Sequence, residues 1–148
     1  MISRMLLALL LLCTPAYAGM GMGPGPGLTV GLPTATGSTD YDFEDTTLQG
    51  WSAGSFATST TNPHAGSRCI SGVSGYTEKS ITPVSGNLNF WYRSTASGEV
   101  KVNGVTVLSL PSTSDVWTEQ TVAISGTVIR FYVPAGNMSL DDISVPTP

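Results

Sequence analysis

Charge is scarce in this sequence. Only 11% of its 148 residues are Asp, Glu, Lys or Arg, less than half the share usual in globular chains. Six basic residues stand against ten acidic ones, for a formal charge of −4. No basic stripe is available to neutralise phosphates, which excludes a nucleic-acid-binding surface. Histidine is represented once, by His64, and cysteine twice, by Cys13 and Cys69. That supply is too small for a zinc centre. A Ser-His-Asp triad would need His64 beside an activated serine, and no Gly-x-Ser-x-Gly elbow is present. No apolar run reaches the roughly 20 residues of a spanning helix. After residue 18 no stretch keeps a helical apolar period for three turns. With 41% hydrophobic residues the chain can still bury a core, so it is not a disordered acidic polymer. The length suits one domain.

What is present begins with a leader. Arg4 precedes the apolar run Met5 to Cys13, and Ala16-Tyr17-Ala18 forms a small-x-small cleavage site, so residues 1–18 read as a secretory signal peptide. Cys13 offers a lipoprotein alternative, but the leucines before it do not suit the lipoprotein peptidase. Cleavage after Ala18 leaves one cysteine, Cys69, which reads as a small buried hydrophobe on a strand or as a partner for an intermolecular disulfide. Gly19 to Gly27 alternates Gly with Met and Pro, and residues 19–38 are expected to form a Gly/Pro-rich flexible arm. The folded module is expected at 39–148.

Within the module the strand signals are dense. Asn87 to Arg93 alternates Leu88, Phe90 and Tyr92 with Asn89, Trp91 and Arg93, the period of a half-buried strand. Glu99 to Val107 is a hairpin around Asn103-Gly104, residues that tolerate the positive φ of a type I′ turn. Further strands are expected at 117–124, 127–133 and 138–145, and weaker ones at 41–45, 51–58, 67–71 and 77–82. About eight to ten short strands at this spacing make an all-β, two-sheet antiparallel sandwich. If the strands 87–93 and 127–133 are neighbours, Trp91, Arg93, Asn89, Arg130 and Tyr132 form a platform of an aromatic face flanked by polar groups, the chemistry that binds a sugar ring. Otherwise Trp91 is capped by a loop or packs inward. Trp51, Phe56 and Trp117 are expected to plug the ends of the sandwich. Tyr76, in the Gly-rich stretch 72–76, is expected to be a loop contact.

Four short motifs carry a resemblance. Asp42-Phe-Glu-Asp-Thr-Thr-Leu-Gln-Gly-Trp51, His64-Ala-Gly-Ser67, Phe90-Trp-Tyr-Arg93 and Ser139-Leu-Asp-Asp-Ile-Ser-Val145 follow one another in the order found in extracellular jelly-roll modules. Over residues 40–146 the chain resembles bacterial carbohydrate-binding modules, galactose-binding-like domains and MAM domains, although it lacks the disulfide cysteines of the last. The resemblance implies a jelly-roll sandwich with a structural calcium ion held by Glu44 and by Asp141 or Asp142, with Asp42 as a further ligand. Calcium takes six to eight oxygens, and two carboxylates on adjacent first and last strands would otherwise repel. The function expected is a secreted or surface module, not an enzyme, that binds carbohydrate or another extracellular polymer. The alternative is a structural subunit of a matrix or fibre, in which residues 28–36 add to a neighbour's sheet.

Overall fold

Residues 31–148 are described by a computed structural model. The signal segment 1–18 and residues 19–30 of the expected arm lie outside them. The alternation read from the sequence is realised along 87–93. Leu88, Phe90 and Tyr92 are fully buried, while Asn89 and Trp91 turn to the other face. Asn103 and Gly104 both take positive φ, 50° and 84°, and close the expected hairpin.

The described residues form six strands and no helix: β1 (Gly37–Tyr41), β2 (Phe56–Ser59), β3 (Cys69–Ser94), β4 (Gly98–Val102), β5 (Val105–Leu110) and β6 (Thr118–Thr147). All named pairings are antiparallel. The count is lower than the eight to ten expected because β3 and β6 each run through both layers without losing their hydrogen-bonded ladder. Register shifts at Val73/Gly75 and Ser80/Val84 carry β3 from one layer to the other and back. Ser74 (φ 44°), Gly75 (φ 127°) and Gly136 (φ 71°) supply the left-handed backbone near such bends.

The pairings resolve into two sheets. In the first, residues 138–144 of β6 lie between two other stretches. On one side are 70–72 of β3, with β2 beyond, and β1. On the other are 89–94 of β3, which pair in turn with 118–121 of β6. In the second, the order runs from 75–80 of β3 through 128–133 of β6 to β4 and β5. The inner faces meet where Phe90 of the first sheet touches Phe131 of the second edge to face, with centroids 4.8 Å apart. Trp51 packs on Phe131 from the side, at 5.5 Å. Such aromatic pairs add about 0.5–1.5 kcal/mol each beyond burial.

The start of the ordered module falls earlier than expected. β1 begins at Gly37, inside the stretch read as flexible arm. Pro33 and Ala35 bond to Ser85 through backbone, and Thr36 donates to the Thr147 carbonyl at 2.9 Å. Residues 33–36 thus bond to their own sandwich. Cys69 is fully buried and free.

Candidate functional site

The outer face of the first sheet is covered. Phe43 turns inward in the left-handed region (φ 59°) and is fully buried. Glu44 then points across to the 64–68 loop. Its carboxylate accepts the Ser67 N–H at 2.9 Å, the Ser67 hydroxyl at 2.6 Å and the Arg68 N–H at 2.9 Å. These donors hold its carboxyl below the ordinary range. Gly66 takes φ 55°, and a Cβ there would also meet the Glu44 carboxylate. From the other side, Asp141 accepts the N–H groups of His64 (2.9 Å) and Ala65 (3.3 Å). Two residues, Asp142 and Ile143, stand opposite Phe90 on β3, and Asp142 takes φ 46°. This bulge turns both aspartates to the outer face, where Asp141 is buried under the 64–68 loop, while Leu140 and Ile143 stay in the core. Asp142 receives the His64 ring nitrogen Nδ1 at 2.7 Å.

His64 in turn stacks on Trp91 at 3.8 Å between centroids, with Trp117 edge-on to the imidazole at 5.7 Å. Trp91 is therefore capped by the loop, and the cap is His64. Trp117 bonds to the Asn62 carbonyl and covers this face instead of plugging an end. Arg93, expected as a ligand fork, is only 7% exposed. Its guanidinium donates to Asp115 and to the Thr61 carbonyl, both at 2.8 Å, and lies over Trp117. Asn89 accepts from Thr121 Oγ1.

The acids expected to hold calcium thus close a loop through its N–H groups. Asp42 is occupied with Gln49 Nε2 and the Glu44 N–H. Among the described residues, no group of three or more His, Cys, Asp or Glu side chains comes together to hold a metal ion. Carboxylate oxygens are ligands that calcium takes; here Glu44 and Asp141 accept N–H groups of the 64–68 loop. Burial pushes the Asp141 carboxyl up to about 6, against the pull of those N–H donors.

The expected platform does not assemble. Residues 87–94 and 127–133 belong to different sheets, so Trp91, Asn89 and Arg93 are separated from Arg130 and Tyr132. The adjacency of two strands far apart in sequence is not written in their alternation. Arg130 and Tyr132 instead join a second set on the outer face of the second sheet. Two rows of side chains cross its four strands. Tyr76, Tyr132, Glu99 and Ser109 make one, and Glu78, Arg130, Lys101 and Thr106 the other. Tyr76 is on β3, not in a loop, and is 38% exposed.

The rows are tied together. Arg130 reaches Glu78 Oε2 through Nε (2.9 Å) and Nη2 (2.6 Å), and its guanidinium sits 4.3 Å from the Tyr76 ring centroid. Lys101 contacts Glu99 Oε2 at 2.8 Å and lies 5.1 Å from the Tyr132 ring. Lys101 is the first cause of the lowered Glu99 pKa. Each cation is thus fixed beside a tyrosine by a carboxylate. At the Ser109 end the face deepens into a pocket of about 310 Å³. The signal for this set was the outward period of Tyr76-x-Glu78, Glu99-x-Lys101 and Arg130-x-Tyr132, whose opposite charges suit neighbouring strands.

No family model matches the chain, and no curated protein matches it in sequence. Solved structures do match. The K2 cleaved adhesin domain of Lys-gingipain superposes with a TM-score of 0.63 at 14% identity, covering 75% of this chain and 99% of that one. The fold is that of cleaved adhesin domains and carbohydrate-binding modules. The CBM22-1 xylan-binding domain from Paenibacillus barcinonensis Xyn10C gives 0.58 at 14% identity, over 77% of this chain and 96% of its own. A family 16 carbohydrate-binding module gives 0.52 at 14% identity, over 69% and 93%. These likenesses to carbohydrate-binding modules are of fold. The MAM part of the resemblance rests on the sequence motifs alone.

Proposed function

We propose that this chain is a non-catalytic module that binds a polysaccharide or a similar extracellular polymer on the outer face of its second sheet. The carrying observation is the cross-strand pair Tyr76 and Tyr132, set between the Glu78–Arg130 and Glu99–Lys101 ion pairs. Each ring carries a cation over one face and offers its other, apolar face to the C–H side of a pyranose, and the fixed carboxylates and cations bind hydroxyls. The ion pairs hold those polar groups in place before a ligand arrives, which lowers the ordering cost of binding. The fold shared with carbohydrate-binding modules supports the reading. The expected signal segment agrees with an extracellular ligand.

The test is a pull-down and affinity-electrophoresis panel on xylan, cellulose, mannan and chitin. Retention by at least one polymer is expected. Tyr132→Ala should weaken it about tenfold, near 1.4 kcal/mol. A folded protein that binds none of them, or binding indifferent to both Tyr132→Ala and Tyr76→Ala, would overturn the reading.

One observation favours the structural-subunit alternative. β5 ends the strand order, and its Val105 and Val107 are 68% and 38% exposed. An exposed apolar edge strand can pair with another chain. Concentration-dependent polymers in size-exclusion chromatography would support that reading, and a monomer at all concentrations would remove it.

A further inference from the structure

The pocket at the end of the tyrosine row has a chemistry of its own. Its apolar walls are Pro111, Pro134 and the Tyr132 ring, and its polar groups come from Ser97, Glu99 and Ser109. No Lys, Arg or His lines it, and the nearby Lys101 is paired with Glu99. At about 310 Å³ it stands at the small end of ligand pockets, the size of one sugar unit. Both protein contacts to the Glu99 carboxylate fall on Oε2, from Lys101 Nζ at 2.8 Å and Thr106 Oγ1 at 3.3 Å. Oε1 is left to accept. The three neighbours Tyr132, Glu99 and Ser109 lie side by side on β6, β4 and β5. From Tyr76 to Ser109 the row crosses three strand spacings, about 14 Å.

We infer that this pocket takes a 2-acetamido sugar, one unit of a glycan whose neighbours stack on Tyr132 and Tyr76. An acetamido group has three parts, and each finds its match. Its N–H donates to Glu99 Oε1, its carbonyl accepts from the Ser109 hydroxyl, and its methyl meets Pro111 and Pro134. A plain hexose offers a hydroxyl in the same position and leaves the apolar wall unfilled. The inference rests on the reading of this face as a glycan surface, since it supplies the identity of one unit.

The experiment is a pair of NMR titrations of the full folded module with small probes. Methyl 2-acetamido-2-deoxy-β-glucoside is expected to shift the amides of Gly98, Glu99 and Ser109 saturably at millimolar concentration. Methyl β-glucoside should do so at least tenfold more weakly. Ser109→Trp fills the pocket from an exposed position and should abolish the shifts. Glu99→Ala tests the acceptor without adding bulk, and should erase the preference between the probes. Equal shifts from both probes, no saturable shift from either, or a preference that survives both variants would overturn the inference. Retention on a neutral polymer, lost in Tyr132→Ala but without acetamido preference, would leave the tyrosine surface standing and remove only the pocket. Saturable acetamido binding with no polymer retained would do the reverse.

Discussion

Replacing Arg93 by methionine separates two roles for that residue, strut or ligand contact. Methionine keeps most of the stem's apolar volume and removes the guanidinium. The hydrogen bond to the Thr61 carbonyl is lost, at about 1.5–3 kcal/mol for a charged donor. The Asp115 partner is 54% exposed, so its ion pair contributes about 1 kcal/mol at most. Against this, Arg93 Nε is buried without a partner, and removing it returns about 1 kcal/mol. The net destabilisation is about 1–3 kcal/mol. For a domain of this size that lowers the midpoint of a thermal melt by about 4–12 °C. Circular dichroism of Arg93→Met should show this fall. Polymer binding below the melt should be unchanged, because the guanidinium faces the 61–64 and 113–117 loops and not the second sheet. An unshifted melt with polymer binding lost would refute the strut and return Arg93 to the ligand.

Three further outcomes follow from the same geometry. Burial raises the Cys69 thiol to about 11, so the native protein at pH 8 should resist a thiol reagent that labels it fully in denaturant; rapid native labelling would contradict the buried position. The Asp141 carboxyl is raised, and its proton is held in the fold up to about pH 6 and released near 4 when unfolded. Its contribution is therefore complete below about pH 4 and is lost as pH rises to 6, by up to roughly 2–3 kcal/mol; denaturant titrations should show this slope, and Asp141→Asn should remove it. Because Glu44 and Asp141 are satisfied by N–H donors, chelator should leave the melting midpoint unchanged, and a fall of several degrees would restore a metal to this loop.

Much of the fold was legible because its signals are local. The period of Leu88, Phe90 and Tyr92 fixed a strand and its buried side, and Asn103-Gly104 fixed a hairpin. The Phe-Glu, His-x-Gly-Ser and Asp-Asp-Ile motifs do meet, at the 64–68 loop. They meet through loop N–H groups donated to Glu44 and Asp141, a contact that residue types alone do not announce. The binding surface was half legible. Arg130 and Tyr132 were singled out, but they were matched with Trp91 across a strand order that alternation cannot supply. Tyr76 was hidden by its glycine-rich flank, where Gly75 serves a bend between sheets rather than a loop. The strand count fell short of expectation because a bulge turns the chain without breaking its ladder, so β3 and β6 each hold what reads as several strands.

The most direct measurement compares two aromatic variants on the polymer that the wild-type protein binds best. Isothermal titration or affinity electrophoresis would be run on Tyr132→Ala and Trp91→Ala, each shown folded by circular dichroism. Loss of about tenfold in affinity for Tyr132→Ala, with Trp91→Ala binding like the wild type, is the result the second-sheet surface predicts. Affinity lost in Trp91→Ala and kept in Tyr132→Ala would place the ligand under the His64 loop and contradict it.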